Sequence, residues 1–250
     1  MKGYRLFTPT AAECYVWGYV LLAMLFLSLC LSSLLFAAGS HVQPWVFPAA
    51  CAVSVLCGHV WLAKTVKSAR GAVVRYYVVL FLLLFVAIST SALIYDNSSD
   101  GNLYHQGAVI ALLEGWNPFA GSDGIGVLWI RHYAKGVETM AATIASFTGR
   151  LESGKAVNIL LAASTFFMAL AFMRREFPAH SRAKVLWLAL VTSMSPIVLR
   201  QLYVYYVDYA MYSLLLLTVL SLVQIYRQSG FAAWSVLAMA ALMAPTVKFT

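Results

Sequence analysis

The residues best able to do chemistry cluster in one stretch, IYDNSSDGNLYHQ, where Asp96 and Asp100 follow directly on an apolar run. A carboxylate there sits at the boundary of water and lipid, where an apolar flank can raise its pKa towards the range of a general base. The same residues have a plainer use. Asn97, Ser98, Ser99 and Asp100 are all types that cap helices, and Gly101 eases the turn into one. Spacing leaves both readings open. His105 and His132 add two imidazoles, and with Asp96 and Asp100 they supply the ligand types of a metal site. No short ligand pair fixes such a site, and interfacial hydrogen bonding uses the same imidazoles.

Arg131 and Lys135 are the cations of WIRHYAKG, flanked by His132 and Tyr133. They can hold a phosphate at the membrane surface or snorkel to lipid headgroups. Asp208 stands in RQLYVYYVDYAMY at the start of another apolar run, where an acid either caps the positive end of a helix or lines a site. Around it, Tyr203, Tyr205, Tyr206, Tyr209 and Tyr212 read first as an interfacial aromatic belt and second as a surface for stacking sugars. Lys248, after the last apolar run, meets an anionic lipid or simply snorkels.

Composition decides what scaffold must position these groups. Of 250 residues, 62% are hydrophobic and 10% charged, against roughly 25% charged in soluble domains, so a water-soluble fold is a poor reading. The net charge of +8 does not point to nucleic acid, because no Lys/Arg-rich tract interleaved with polar residues occurs. Cys14, Cys30, Cys51 and Cys57 lie in or beside apolar runs without CxxC spacing, as small buried hydrophobes do. Lys2 and Arg5 precede an apolar run too long for a signal-peptide core, so a retained helix is expected.

Spanning the hydrocarbon core takes about 20 apolar residues. The stretches 14–38, 45–63, 76–95, 156–173, 184–199, 207–226 and 231–247 qualify. The expected fold is therefore all-α, a polytopic transmembrane bundle of about seven spans. With the N-terminus cytoplasmic, eleven Lys and Arg fall inside and six outside, while two acids fall inside and seven outside. The basic segments 64–75 and 174–184 agree on that orientation. It predicts an integral plasma (inner) membrane protein with residues 96–155 as a long extracytoplasmic loop. Within the loop, Leu103 to Leu113 and Val137 to Phe147 have helical apolar spacing, stopped by Gly115 and Gly149, and are expected to lie on the membrane surface. The final apolar run ends three residues before the terminus, from which a longer parent protein is expected.

The order of motifs resembles a known family. An acid after a transmembrane helix, then Y-H, an apolar helix, L-L-E-G-W-N-P-F and H-Y-A-K-G resembles the first external loop of bacterial GT-C-type glycosyltransferases. E-S-G-K-A-V-N before the fourth helix and Y-V-D-Y before the sixth fit the same pattern, so the match covers about 96–210. The resemblance implies an inverting membrane enzyme that moves a sugar from a polyprenyl-phosphate carrier to an envelope glycan, lipid or protein acceptor. It implies Asp100, or Asp96 in another register, as general base on the acceptor hydroxyl, and Asp208 as a second acid. It places Lys135 near the lipid-phosphate leaving group, beside Arg131 and His132, with Tyr104, His105, Trp116 and Tyr133 as substrate-lining residues. A divalent cation, Mg or Mn, is optional in that scheme, since Arg131 and Lys135 can neutralise the phosphate. The chain departs from the family in having two helices before the usual first one and Lys135-Gly136 where a lysine-proline-proline signature is usual.

Two other classes compete. A transporter or lipid flippase usually carries polar residues at mid-membrane in broken helices, whereas these acids cluster in a loop. A non-enzymatic membrane assembly subunit would need none of them.

Overall fold

A computed structural model describes residues 9–66, 69–121, 126–194, 199–227 and 230–247. Lys2, Arg5, Lys67, Asp123 and Lys248 lie outside the described residues, as does part of the expected 184–199 span.

The described chain is mainly helical, with no strand among the described residues. In order come α1 (Ala11–Ala37), α2 (Val46–Thr65), α3 (Ala69–Leu93), a π-helical turn (Gly101–His105) running into α4 (Gln106–Leu113), α5 (Leu128–His132) and α6 (Gly136–Thr148). A 3-10 turn (Leu151–Lys155) then leads into α7 (Ala156–Glu176), followed by α8 (Arg182–Ser193), α9 (Asp208–Arg227) and α10 (Phe231–Val247).

Five helices are long and apolar enough to cross a membrane: Ala11–Ala37, Val46–Thr65, Arg70–Leu93, Leu151–Glu176 and Asp208–Arg227. Two of the expected spans are shorter. α10 has 17 residues, about 26 Å at ~1.5 Å per residue, close to the ~30 Å hydrocarbon thickness. α8 has 12 residues, about 18 Å, which does not cross that thickness.

α1 begins at a capping box, with the Thr10 hydroxyl accepting from Glu13 N at 3.1 Å and the Glu13 carboxylate accepting from Thr10 N at 2.6 Å. Glu13 is fully buried and also accepts from Arg75 Nε and Nη2 at 3.0 and 2.6 Å. That pair explains why α3 starts earlier than its apolar run suggests. Arg70 and Arg75 sit in its opening turns instead of in a loop. α1 lies between α2 and α7, and Gly18 lets α7 approach closely. A β-carbon at Gly18 would meet the Ser164 carbonyl oxygen at 2.7 Å, and Ser164 Oγ donates to the Gly18 carbonyl at 2.7 Å. The lipid-facing side is apolar: Val74, Phe81, Leu82, Phe85 and Val86 of α3 are all exposed.

The described parts of the 96–155 segment pack over one end of the bundle. α6 is buried from Gly136 through Ala145 and packs on α1, α2, α4, α7 and α10. It therefore has no water-facing side of the kind a helix lying on a membrane surface presents. Asn117 of the GWNPF motif donates to the carbonyls of Phe36 and Ser40 at 2.8 and 3.0 Å, fastening the loop to the end of α1.

Candidate functional site

The candidate site is a cavity of about 90 Å³ at this capped end. Asp100, Tyr104 and His105 enter it from the π-helical turn, Tyr133 from the end of α5, and Asp208 from the start of α9. Asp100 and Asp208, far apart in sequence, thus open onto one space. At roughly 30 Å³ per water, the cavity holds about three waters, enough for a hydroxyl group but not for a whole sugar ring. A wider cleft of about 750 Å³ adjoins it across Tyr206, walled by Tyr95, Asn97, Gln201 and Tyr203. That cleft is large enough for a sugar and carries the tyrosines and amides that sugars favour.

The two loop aspartates have different roles. Asp96 is 4% exposed and uses both oxygens: one accepts from Ser98 N and Ser98 Oγ at 2.8 and 2.6 Å, the other from Tyr205 N at 2.7 Å. It joins the end of α3 to the segment before α9. Ser98 supplies the cap of the following helical turn, its hydroxyl accepting from Gly101 N at 3.2 Å. Asp100 makes no cap hydrogen bond and is exposed at the cavity. The capping role falls to Ser98 and the open carboxylate is Asp100.

The segment leading to Asp208 is held by buried side chains. Asn158 at the start of α7 donates to the carbonyls of Gln201, Val204 and Tyr206 at 3.1, 3.0 and 3.1 Å. The Tyr205 hydroxyl donates to the Leu151 carbonyl. Gln201 receives Tyr209 N at 3.0 Å and donates to Asp208 Oδ2 at 3.4 Å, which leaves Asp208 exposed in the first turn of α9.

Behind the cavity wall, His105 Nδ1 lies 2.6 Å from Glu138 Oε1, and Glu138 is 2% exposed. The contact joins the ring of the π-helical turn to α6 and fixes the orientation of the imidazole at the cavity wall. The Tyr104 ring packs 4.2 Å from the His105 ring and 5.6 Å from that of Tyr133. Burial first, then the charges of Asp100, Tyr133, Glu138 and Asp208, pushes the Tyr104 hydroxyl up to about 12. Tyr104 is thus a neutral hydrogen-bond donor at ordinary pH.

The other expected site residues stand outside the cavity wall. Lys135 Nζ donates to the carbonyls of Tyr133 at 2.7 Å and Trp129 at 3.5 Å, which leaves one of its three donors uncommitted. Its burial lowers the ammonium pKa, with Glu138 acting the other way. Arg131 and His132 are exposed on α5. Trp116 donates its indole N–H to the Gly121 carbonyl at 2.9 Å and packs against the core. Among the described residues no three His, Cys, Asp or Glu converge as metal ligands would, so Asp96, Asp100, His105 and His132 do not form one set.

Sequence reasoning missed Glu138, Asn158 and Lys155. Lys155 is buried, donates to the Ile94 carbonyl and lies 2.5 Å from Glu152 Oε2. One signal was legible: Glu138 is the single acid in an otherwise uncharged helix.

With five helices among the described residues long and apolar enough to cross a bilayer, the chain has the build of a multi-pass membrane protein. No family model, no curated protein and no solved structure matches it.

Proposed function

We propose that this chain carries the active site of a membrane glycosyltransferase of GT-C type, moving a sugar from a polyprenyl-phosphate carrier to an envelope glycan, lipid or protein acceptor. The observation that carries the reading is the shared cavity: Asp100 and Asp208 face one hydroxyl-sized space beside a sugar-sized cleft. In this reading the apolar stretches 184–199 and 231–247 of the sequence bring the count to about seven spans. The N-terminus is cytoplasmic and the capped end extracytoplasmic, in a plasma (inner) membrane.

Asp100 acts as the base. Its carboxylate takes the proton of the acceptor hydroxyl as that oxygen forms its bond to the anomeric carbon. The bond from that carbon to the phosphate oxygen breaks on the opposite face, and the carrier phosphate leaves with the electron pair. The free donor of Lys135, with Arg131 and His132 on the adjoining α5, meets that phosphate. Asp208 and Tyr104 orient the acceptor, and Glu138 positions His105.

The test is glycan analysis of the cell envelope in a deletion strain complemented with either the wild-type gene or Asp100→Asn. Loss of the same glycan in the deletion and in Asp100→Asn, at equal protein levels, is the expected result. Wild-type glycans in the Asp100→Asn strain would remove the enzyme reading.

A further inference from the structure

The opposite end of the bundle holds a larger cavity, of about 870 Å³, that the transferase reading does not use. It opens where the start of α1, the ends of α7 and α9 and the start of α10 meet. Its volume lies within the roughly 300–1,000 Å³ of ligand sites. Three features give it a chemistry.

The first is charge. Arg175 makes no ion pair among the described residues, and its guanidinium stands over the Tyr15 ring, 5.6 Å from the centroid. Its neighbour Arg174 is by contrast spent on the Pro9 carbonyl and Cys14 Sγ. Arg227 and Glu176 pair with each other and cancel, so Arg175 leaves the cavity cationic. The second is an unsatisfied donor: Tyr15 lines the cavity, is 4% exposed, and its hydroxyl has no hydrogen-bond partner among the described residues. Such an orphan donor is costly unless something fills the role. The third is continuity with an apolar groove of about 640 Å³, walled by Tyr19, Leu56, Val60, Lys64 and Phe231, which shares Trp61 and Ala232 with the cavity.

The geometry points to a binding site for one anionic phospholipid, its phosphate against Arg175 and its acyl chains in the groove between α2 and α10. A cationic cavity joined to a long apolar groove matches a molecule with an anionic head and apolar tails, and a soluble phosphate would leave the groove unused. Lys64 at the groove adds a second cation for the headgroup. The site is independent of the transferase reading.

Native mass spectrometry of the purified full chain in neutral detergent tests it, with dioleoyl phosphatidylglycerol and dioleoyl phosphatidylcholine as probes. One phosphatidylglycerol per chain should be retained at about a tenth of the phosphatidylcholine concentration needed for equal occupancy. Arg175→Gln should remove most of that preference, leaving the part that Lys64 supplies, with a melting temperature lowered only slightly by loss of the contact with the Tyr15 ring. Excess inorganic phosphate should leave the lipid bound. Equal retention of both lipids, displacement by inorganic phosphate, or a groove filled by a second copy of the chain would each overturn the assignment.

Discussion

Asp96 and Asp100 stand four positions apart, yet one is buried under three hydrogen bonds and the other faces a cavity. That difference is set by Ser98 and Tyr205, the second from 109 positions away. Lys135 shows the same dependence on surroundings. Burial favours its neutral form, so its positive charge is lost at a lower pH than the ~10.4 of a free lysine. Donor binding should therefore weaken on the alkaline side before an ordinary lysine would titrate. Lys135→Arg, whose charge persists above pH ~12, should carry that fall to higher pH in a profile of donor KM. A profile that the substitution leaves unmoved would take Lys135 out of donor binding. The residue types of the site were legible in the sequence, because acids and imidazoles in so apolar a chain stand out. Their partners were not, because Glu138 reaches His105 across 33 positions and Asn158 reaches Tyr206 across 48.

Helices carry these side chains, and their existence was more legible than their ends. Periodicity and apolar length located α1, α2, α7, α9 and α10, while the buried Glu13–Arg75 pair moved the start of α3 and no local signal revealed it. α6 shows why a helix near a membrane face is hard to place: its apolar spacing was read as one-sided, whereas its small residues, Ala141, Ala142 and Ala145, let five helices surround it. The segment before α9 has no regular structure of its own and depends on Asn158. Asn158→Ala leaves three carbonyls without that donor and should cost about 2 kcal/mol of stability in detergent, with faster proteolysis at 200–207. Unchanged melting and proteolysis would show that the segment holds itself.

At the scale of the molecule the bundle has two unlike ends. One gathers Lys64, Arg75, Arg174, Arg175 and Arg227 with Glu13 and Glu176, and the other carries Asp96, Asp100, Glu138, Glu152 and Asp208 beside Arg131, Lys135, Arg150, Lys155 and Arg200. In the proposed topology the end with Lys64, Arg174, Arg175 and Arg227 faces the cytoplasm and the capped end the outside, following the positive-inside tendency. A cysteine in place of the exposed Ala120 should then react with a membrane-impermeant thiol reagent added to intact cells. Labelling that appears only after lysis would invert the molecule and put the cavity where no exported carrier presents its sugar.

The central claim is that Asp100 does chemistry where Asp96 holds structure. Sugar transfer from a polyprenyl-phosphate donor, measured with melting temperature on purified Asp100→Asn and Asp96→Ala, tests it. Asp100→Asn should melt like the wild type and lose about 100-fold or more in transfer, the scale of a removed general base. Asp96→Ala should lose on the order of 3 kcal/mol of stability, with two backbone N–H groups left unpaired, while its folded fraction still transfers sugar. Wild-type transfer by Asp100→Asn would contradict the account.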